Sequence, residues 1–201
     1  DTTWSRGLGD VYKRQLGYDG KGQFVLNSLD DVKKDWCFTA DYILEKKVNL
    51  KKEISVVITR FKDGTLSFYE PIENEHRNQI LFKSKIPANI SKKIYEQAIS
   101  NAKRISEELN YIGVLTVEYF ITEKDELLVN ELAPRFHNSG HLTIDAFNIS
   151  QFQKHVLSVM DLGSKPIGKI SNAEMHNILG SEILDYRKKT FKKNEFFYDY
   201  L

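Results

Sequence analysis

A chain of 201 residues, 41% hydrophobic and 28% charged, has the balance of an ordinary globular protein with room for one sizeable core. Its 29 Lys and Arg against 28 Asp and Glu leave a net charge of +1, which excludes the basic excess on which a general nucleic-acid or membrane-surface binder relies. The single cysteine, Cys37, excludes an internal disulfide, and no apolar run reaches membrane-spanning length; together these predict a cytoplasmic protein.

Residues 1–15 show neither helical nor strand periodicity and no apolar stretch of a secretory signal, and are set aside as an artefactual leader. Order is predicted from the glycine-rich segment Gly17-Tyr18-Asp19-Gly20-Lys21-Gly22-Gln23, followed by the apolar run Phe24-Val25-Leu26. A short helix is predicted over 28–35 with Ser28 as its cap, then a strand over 42–45 and a loop over 46–52. Residues 54–60 are strongly β-branched and 66–70 mirror them across Asp63-Gly64, a strong signal for a two-residue hairpin turn. In the helix predicted over 91–109, Ile94, Ala98, Ala102, Ile105 and Leu109 recur every three or four positions and form one buried face. Ser91 is its cap, and Tyr111-Ile112-Gly113 ends it with a glycine. Strands over 114–121 and 127–132 follow, joined by the polar turn 122–125. A second helix begins near Ser150 and carries Phe152, Val156, Leu157 and Met160, and 175–179 reads as a strand. Strand pairs alternating with helices predict an α+β fold of antiparallel sheets covered by helices. The main domain is placed over 16–162 and the start of a small C-terminal β domain over 163–201.

Glu118 lies mid-strand and Glu131 near the end of the next strand. A two-residue turn at Glu123-Lys124 sets Glu118 diagonal to Glu131, and one at Lys124-Asp125 sets them directly opposite; either puts both on one face within about 8 Å. Like charges that close repel unless a cation lies between them. A solvated sheet face and a Mg²⁺ site shared with substrate phosphates both remain open on spacing alone. Asn130 is expected to point the other way. The glycine-rich segment lets backbone N–H groups approach phosphate oxygens, although it is neither a P-loop nor a dinucleotide fingerprint, and taken alone a plain glycine turn is the preferred explanation. Glu45-Lys46-Lys47-Val48 leaves a strand where an adenine edge could be met, with Glu53 placed for ribose hydroxyls; an exposed charged loop is the competing reading, and His76 is unremarkable alone. The most informative stretch is Asn130-Glu131-Leu132-Ala133-Pro134-Arg135-Phe136-His137-Asn138-Ser139-Gly140-His141. Arg135 offers a planar fork for carboxylate, bicarbonate or phosphate, and His137 and His141 are candidates for proton exchange near neutral pH. Zinc fits poorly, because the two histidines lack a third clear ligand.

These segments together resemble the N5-carboxyaminoimidazole ribonucleotide synthetase family of ATP-grasp ligases. GYDGKGQ, the EKKV segment with Glu53, Val117-Glu118-Tyr119-Phe120 and above all NELAPRFHNSGH carry the resemblance, which covers residues 16–201. It implies an ATP-grasp fold and a carboxylation in purine synthesis. ATP phosphorylates bicarbonate to carboxyphosphate, which yields carbon dioxide for the exocyclic amine of aminoimidazole ribonucleotide. By the same resemblance, Gly17, Tyr18, Asp19, Gly20, Lys21, Gly22 and Gln23 close over the triphosphate, with Tyr18, Asp19 and Lys21 facing the imidazole substrate. Glu45, Lys46, Lys47 and Val48 form the adenine hinge, Glu53 holds the ribose, and His76 lies near the nucleotide. Glu118 and Glu131 hold Mg²⁺, or Mn²⁺ in its place, with Asn130 beside the phosphates. Arg135 and His137 position bicarbonate, and Asn138 and Ser139 join them in substrate binding; the full-length enzyme is expected to be a homodimer.

The chain also departs from that pattern. The family carries a nucleotide-fold domain before this region and a short domain after it, so the chain reads as truncated at both ends and inactive as given. The phosphate-binding lysine expected just before the glycine loop is replaced by Tyr12, with Lys13 and Arg14 falling in the leader. Another ATP-grasp carboxylating ligase, or a nucleotide-binding fragment without catalysis, is the alternative reading.

Overall fold

Strand β4 (Leu50–Arg60) is the axis of the molecule, and its alternating side chains face two unlike environments. The computed structural model describes residues 10–13, 23–26, 28–31, 42–78 and 80–199. Within these, β1 (Asp10–Lys13), β2 (Gln23–Val25) and β3 (Tyr42–Glu45) form an antiparallel sheet in the order β2-β1-β3. A seven-stranded antiparallel sheet runs β10-β7-β6-β4-β8-β9, with β5 also paired to β4. Its other members are β5 (Leu66–Phe68), β6 (Ile72–Arg77), β7 (Ile80–Ile86), β8 (Gly113–Thr122), β9 (Leu127–Ala133) and β10 (Ala173–His176).

One face of this sheet carries the larger apolar core. Ile54, Val56, Ile58, Leu115, Val117, Tyr119 and Ile121 pack there beneath α1 (Lys92–Glu108), which contributes Ile94, Ala98, Ile99 and Ala102. Ser91 caps α1 by accepting from the Ile94 N–H at 3.3 Å, as expected. The helix ends earlier than Gly113: Asn110 takes the left-handed conformation, with φ of 48°, directly after the Leu109 cap. The opposite face divides along its length. At one end Val57, Tyr69, Ile72, Ile86 and Val114 pack against Leu142, Ala146 and Phe147. At the other end the positions on the same side carry polar groups: Glu53, Ser55, Asn74, Ser84 and Glu118.

The α+β class holds, and several boundaries move. Residues 10–13, set aside as part of a leader, form β1 and pair with both its neighbours. Strand β4 starts at Leu50, shortening the loop expected over 46–52; of the helix expected over 28–35, the described residues form a 3₁₀ turn at Leu29–Asp31, and 32–35 lie outside the described residues. Strands β6 and β7 were not expected. Strand β10 covers 173–176 and pairs with β7, so part of the stretch after residue 163 returns to the edge of the main sheet.

The β4–β5 and β8–β9 hairpins share one loop type, and it is not the expected two-residue turn. In the first, Phe61 N–H donates to Thr65 O at 2.9 Å, Gly64 N–H donates to Phe61 O at 3.0 Å, and Gly64 has φ of 84°. In the second, Thr122 N–H donates to Glu126 O at 3.0 Å, Asp125 N–H donates to Thr122 O at 2.9 Å, and Asp125 has φ of 57°. Both are three-residue loops closed by a left-handed residue, glycine in one and aspartate in the other.

Helix α2 (Thr143–Ala146) is a single turn, and α3 (Gln151–Val159) carries a full capping box between Ser150 and Gln153. The buried side of α3 is not its apolar one. Gln151, Lys154 and Ser158 are buried, whereas Val156 and Met160 are exposed. Lys154 is 0% exposed; its ammonium donates to the Lys165 carbonyl and lies 3.5 Å from Ser164 Oγ and 5.6 Å from the Phe61 ring centroid. Burial pushes its pKa from the ordinary 10.5 down to about 8. The folded value lies below the unfolded one, so the unfolded chain binds the extra proton and folding gains stability as pH rises from about 8 to 10.5. Thermal denaturation of wild type and Lys154→Met across that window is therefore expected to show the difference moving in favour of wild type. A difference independent of pH would remove the buried-charge assignment. A short α4 (Glu182–Tyr186) follows β10.

Candidate active site

The polar end of the sheet gathers its side chains by register. Glu118 on β8 stands directly opposite Ser55 on β4 and Glu131 on β9. The three-residue loop alone would put Glu118 opposite Asn130, because Ile121 pairs with Leu127 and Tyr119 with Val129. A register shift between Glu118 and Tyr119 inserts one residue into β9 and brings Glu131 into line. Such a bulge re-aims the side chains beside it. Asn130 therefore does not point away, as strict alternation had suggested: its amide donates to Glu118 Oε2 at 3.3 Å. Glu118 is 9% exposed, and Glu131 is exposed on an edge strand.

Behind Glu118 lies a chain of hydrogen bonds with one consistent direction. Ser84 Oγ donates to Asn74 Oδ1 at 2.9 Å, and Asn74 Nδ2 donates to Ser55 Oγ at 3.0 Å. Ser55 Oγ meets Ser139 Oγ at 2.8 Å, and Ser139 Oγ meets His137 Nδ1 at 2.9 Å. The Ser139 backbone N–H also donates to His137 Nδ1 at 3.3 Å, so Nδ1 carries the lone pair and Nε2 carries the proton. That Nε2 lies 3.2 Å from Glu118 Oε1. Ser55, Ser84 and Ser139 are all 0% exposed, so the chain is shielded from water.

Burial pushes Glu118 up to about 7, with the charges of Glu131 and Glu53 adding to it against the opposing pull of His76 and the Asn130 hydrogen bond. Burial, followed by the charges of Arg135, His76 and His141, pushes His137 down to about 4. Burial also lowers His141. Both shifts favour the neutral imidazole, and His137 offers its Nε2–H to Glu118 as a hydrogen-bond donor. His76 behaves differently. Burial opposes its charge, but its hydrogen bond to Glu53 and the charges of Glu53, Glu118 and Glu131 outweigh that and raise its pKa.

Glu53, His76, Glu118, Asn130, Glu131, His137 and Ser139 are thus brought into one electrostatic cluster. The Ser139 side chain supports this cluster from behind, since its Oγ is committed to Ser55 and His137. Arg135 is exposed, and its guanidinium donates only to the neighbouring Phe136 carbonyl, at 3.0 Å, among the described residues. Asn138 is half-buried and starts a 3₁₀ turn over Asn138–Gly140. Glu45, Lys46 and Lys47 are exposed and Val48 half-buried just after β3, with no hydrogen bond from them to Glu53 among the described residues. Gly17, Tyr18, Asp19, Gly20, Lys21 and Gly22 lie outside the described residues; Gln23 opens β2. Sequence reasoning missed Ser55, Asn74 and Ser84, all buried on their strands, the last two between charged neighbours.

The donor set suits a hard divalent cation. Among the described residues no three His, Cys, Asp or Glu side chains form a self-sufficient metal cage. Two opposed carboxylates, one of them pushed up by burial, instead match Mg²⁺ that takes its remaining ligands from phosphate oxygens and water.

Comparison with known proteins agrees with this chemistry. A family model described as the ATP-grasp domain matches residues 9–152. N5-carboxyaminoimidazole ribonucleotide synthase of Staphylococcus aureus (strain COL) is 40% identical over 187 residues, covering 92% of this chain and 49% of the relative. The enzyme of the same name from Bacillus subtilis (strain 168) is 44% identical over 172 residues, covering 83% and 44%. The crystal structure of the Staphylococcus aureus synthetase complexed with ADP superposes with a TM-score of 0.84 at 39% identity, over 90% of this chain and 49% of that one. The Aspergillus clavatus enzyme in complex with ADP and 5-aminoimidazole ribonucleotide superposes with a TM-score of 0.79 at 28% identity, over 88% and 47%. The chain spans about half the length of the curated relatives it matches.

Proposed function

Starting from the premise that this chain belongs to the ATP-grasp family, we propose that it is the central part of an ATP-dependent ligase that carboxylates 5-aminoimidazole ribonucleotide with bicarbonate. The observation that carries the reading is the cross-strand pair Glu118–Glu131, joined by Asn130 and flanked by the Arg135 to His141 run on the same polar end of the sheet. A bicarbonate oxygen attacks the γ-phosphorus of ATP and displaces ADP, giving carboxyphosphate. Its C–O(P) bond then breaks to release carbon dioxide and phosphate. The substrate's exocyclic amine adds to the carbon and loses a proton, forming the carbamate.

Phosphoryl transfer demands positioning and charge stabilisation more than covalent help from the protein. Glu118 and Glu131 would hold Mg²⁺, or Mn²⁺, which when bound neutralises triphosphate charge; Asn130 orients the Glu118 carboxylate. Glu53, held by His76, would take the ribose hydroxyls, and Glu45 to Val48 would form the adenine hinge. The Arg135 fork and the His137 Nε2–H would hold bicarbonate and stabilise carboxyphosphate. By the family resemblance, Gly17 to Gln23 would cover the triphosphate, and Tyr18, Asp19 and Lys21 would serve the imidazole substrate. The near-zero net charge supports small-molecule rather than nucleic-acid partners, and a cytoplasmic homodimer completes the reading.

The test uses the full polypeptide encoded at this chain's locus and measures ADP formation with bicarbonate, with and without aminoimidazole ribonucleotide. Stimulation by the ribonucleotide is expected. Bicarbonate-dependent turnover without that stimulation would assign another carboxylating ligase, and nucleotide binding without turnover would reduce the chain to a binding module.

A further inference from the structure

Gln151 is the first residue of α3 and is 0% exposed, an expensive place for an amide unless every polar atom is used. All of it is used on one partner. Gln151 Oε1 accepts the His137 backbone N–H at 3.1 Å, and Gln151 Nε2 donates to the His137 carbonyl at 2.7 Å. The orientation of the amide is not arbitrary, because His137 offers one group that only donates and one that only accepts. The Gln151 backbone N–H then donates to Thr143 Oγ1 at 3.0 Å, and Thr143 Oγ1 donates to the Gly140 carbonyl at 2.6 Å. The turn from His137 to Gly140 is therefore held at both ends by residues that sequence periodicity had assigned no role.

The fit leaves no slack. A Cβ at Gly140 would fall 2.4 Å from Gln151 Oε1 and 2.7 Å from its Cδ. The held backbone is also the one that aims a ring: His137 reaches Glu118 through Nε2 only because its Nδ1 is turned back on Ser139. Arg135 lies two residues earlier on the same segment, and Phe136 between them packs on α3 at 5.1 Å from the Phe152 ring and 5.0 Å from the His155 ring.

On the reading that the Arg135 to His141 run receives bicarbonate, we propose that Gln151 is a positioning residue: its amide locks the His137 backbone, and Gly140 keeps the space that the lock requires. Gln151→Glu tests it with little change of volume. The carboxylate still accepts from His137 N–H but turns an oxygen, not a donor, toward the His137 carbonyl. Gly140→Ala is the second variant, crowding the amide without removing it.

Two measurements on the full polypeptide decide the matter. In long-range ¹H–¹⁵N spectra of the histidine rings, wild-type His137 is expected to show one tautomer with the proton on Nε2, and both variants a mixture. In steady-state assays both variants are expected to lose on the order of 10²-fold in bicarbonate-dependent kcat/KM, the scale of a misplacement of about 1 Å, while the affinity for Mg-ATP stays near wild type. A lowered Tm with the wild-type tautomer and an unchanged KM for bicarbonate would make Gln151 a purely structural residue and overturn the proposal. If wild type itself shows no bicarbonate-dependent turnover, the functional reading fails, and the tautomer spectra still decide whether Gln151 sets the His137 ring.

Discussion

Glu131→Gln is expected to abolish bicarbonate-dependent ATP turnover while leaving the protein as stable as wild type or slightly more so. The two effects have opposite signs because of where Glu131 sits. It is an exposed carboxylate on the edge strand β9, directly across from Glu118 on β8. Like charges opposite one another destabilise a sheet, by about 0.2–1 kcal/mol for such cross-strand pairs, so neutralising one relieves a cost. Glutamine keeps the shape and the strand register. For the proposed reaction the same change removes one of the two carboxylates that would hold the cation balancing the phosphoryl charge. Loss of one preorganised electrostatic contact typically costs 10²–10³ in rate, and a lost metal ligand is expected at or beyond the upper end of that range. Thermal denaturation and ADP release, measured on the same preparation of the full polypeptide, check both halves. Retained turnover would end the metal assignment. A large drop in Tm would mean that Glu131 braces the hairpin rather than serving a cation.

The carboxylate pair illustrates how far the residues alone could be read. Both glutamates lie on adjacent apolar strands joined by a short polar turn, so their common face was legible. The way they meet was not. Neither expected turn forms; Asp125 adopts the left-handed conformation that Gly64 provides in the sister hairpin, and a bulge at Asn130 restores the opposition. Nothing in Val129-Asn130-Glu131 advertises that extra residue, because no glycine marks it.

The helix α1 was legible for the reason that α3 was not. Apolar residues at helical spacing lie over an apolar sheet face in α1. In α3 the buried stripe has the same spacing, at 151, 154 and 158, but carries glutamine, lysine and serine. Their partners are backbone atoms of residues 137 and 165 and of α3 itself, so no pattern within the helix could distinguish them from a solvated face. The relay from Ser84 to His137 was hidden similarly. Ser55, Asn74 and Ser84 converge only once β4, β6 and β7 are in register, and β6 and β7 are short strands interrupted by charges. The family motif did name the Arg135 to His141 run. It could not separate groups that face a substrate from Ser139, which is buried behind them.

Arg135→Lys is expected to be nearly as damaging as Glu131→Gln for turnover and silent for the fold. Arg135 is exposed and, among the described residues, spends its guanidinium on nothing but the Phe136 carbonyl. Little stability rests on a single exposed bond of that kind, so Tm is expected to stay within about 1 °C of wild type, given the small effect of most surface substitutions. A side chain that pairs with no anion among the described residues is available for an anion from solution. Bicarbonate, and the carboxyphosphate it becomes, present coplanar oxygens that a guanidinium meets with two parallel N–H donors. Lysine restores the charge but only as a point, without the fork that would orient the attacking oxygen toward the γ-phosphorus. The expected signature is a loss on the order of 10²-fold in kcat with a raised KM for bicarbonate, and little change in the KM for ATP, as befits lost orientation rather than lost nucleotide binding. A lysine variant with near-normal rates would show that only positive charge is needed there, and the bicarbonate assignment of Arg135 would fall. An equal rise in both KM values would move Arg135 to the triphosphate instead.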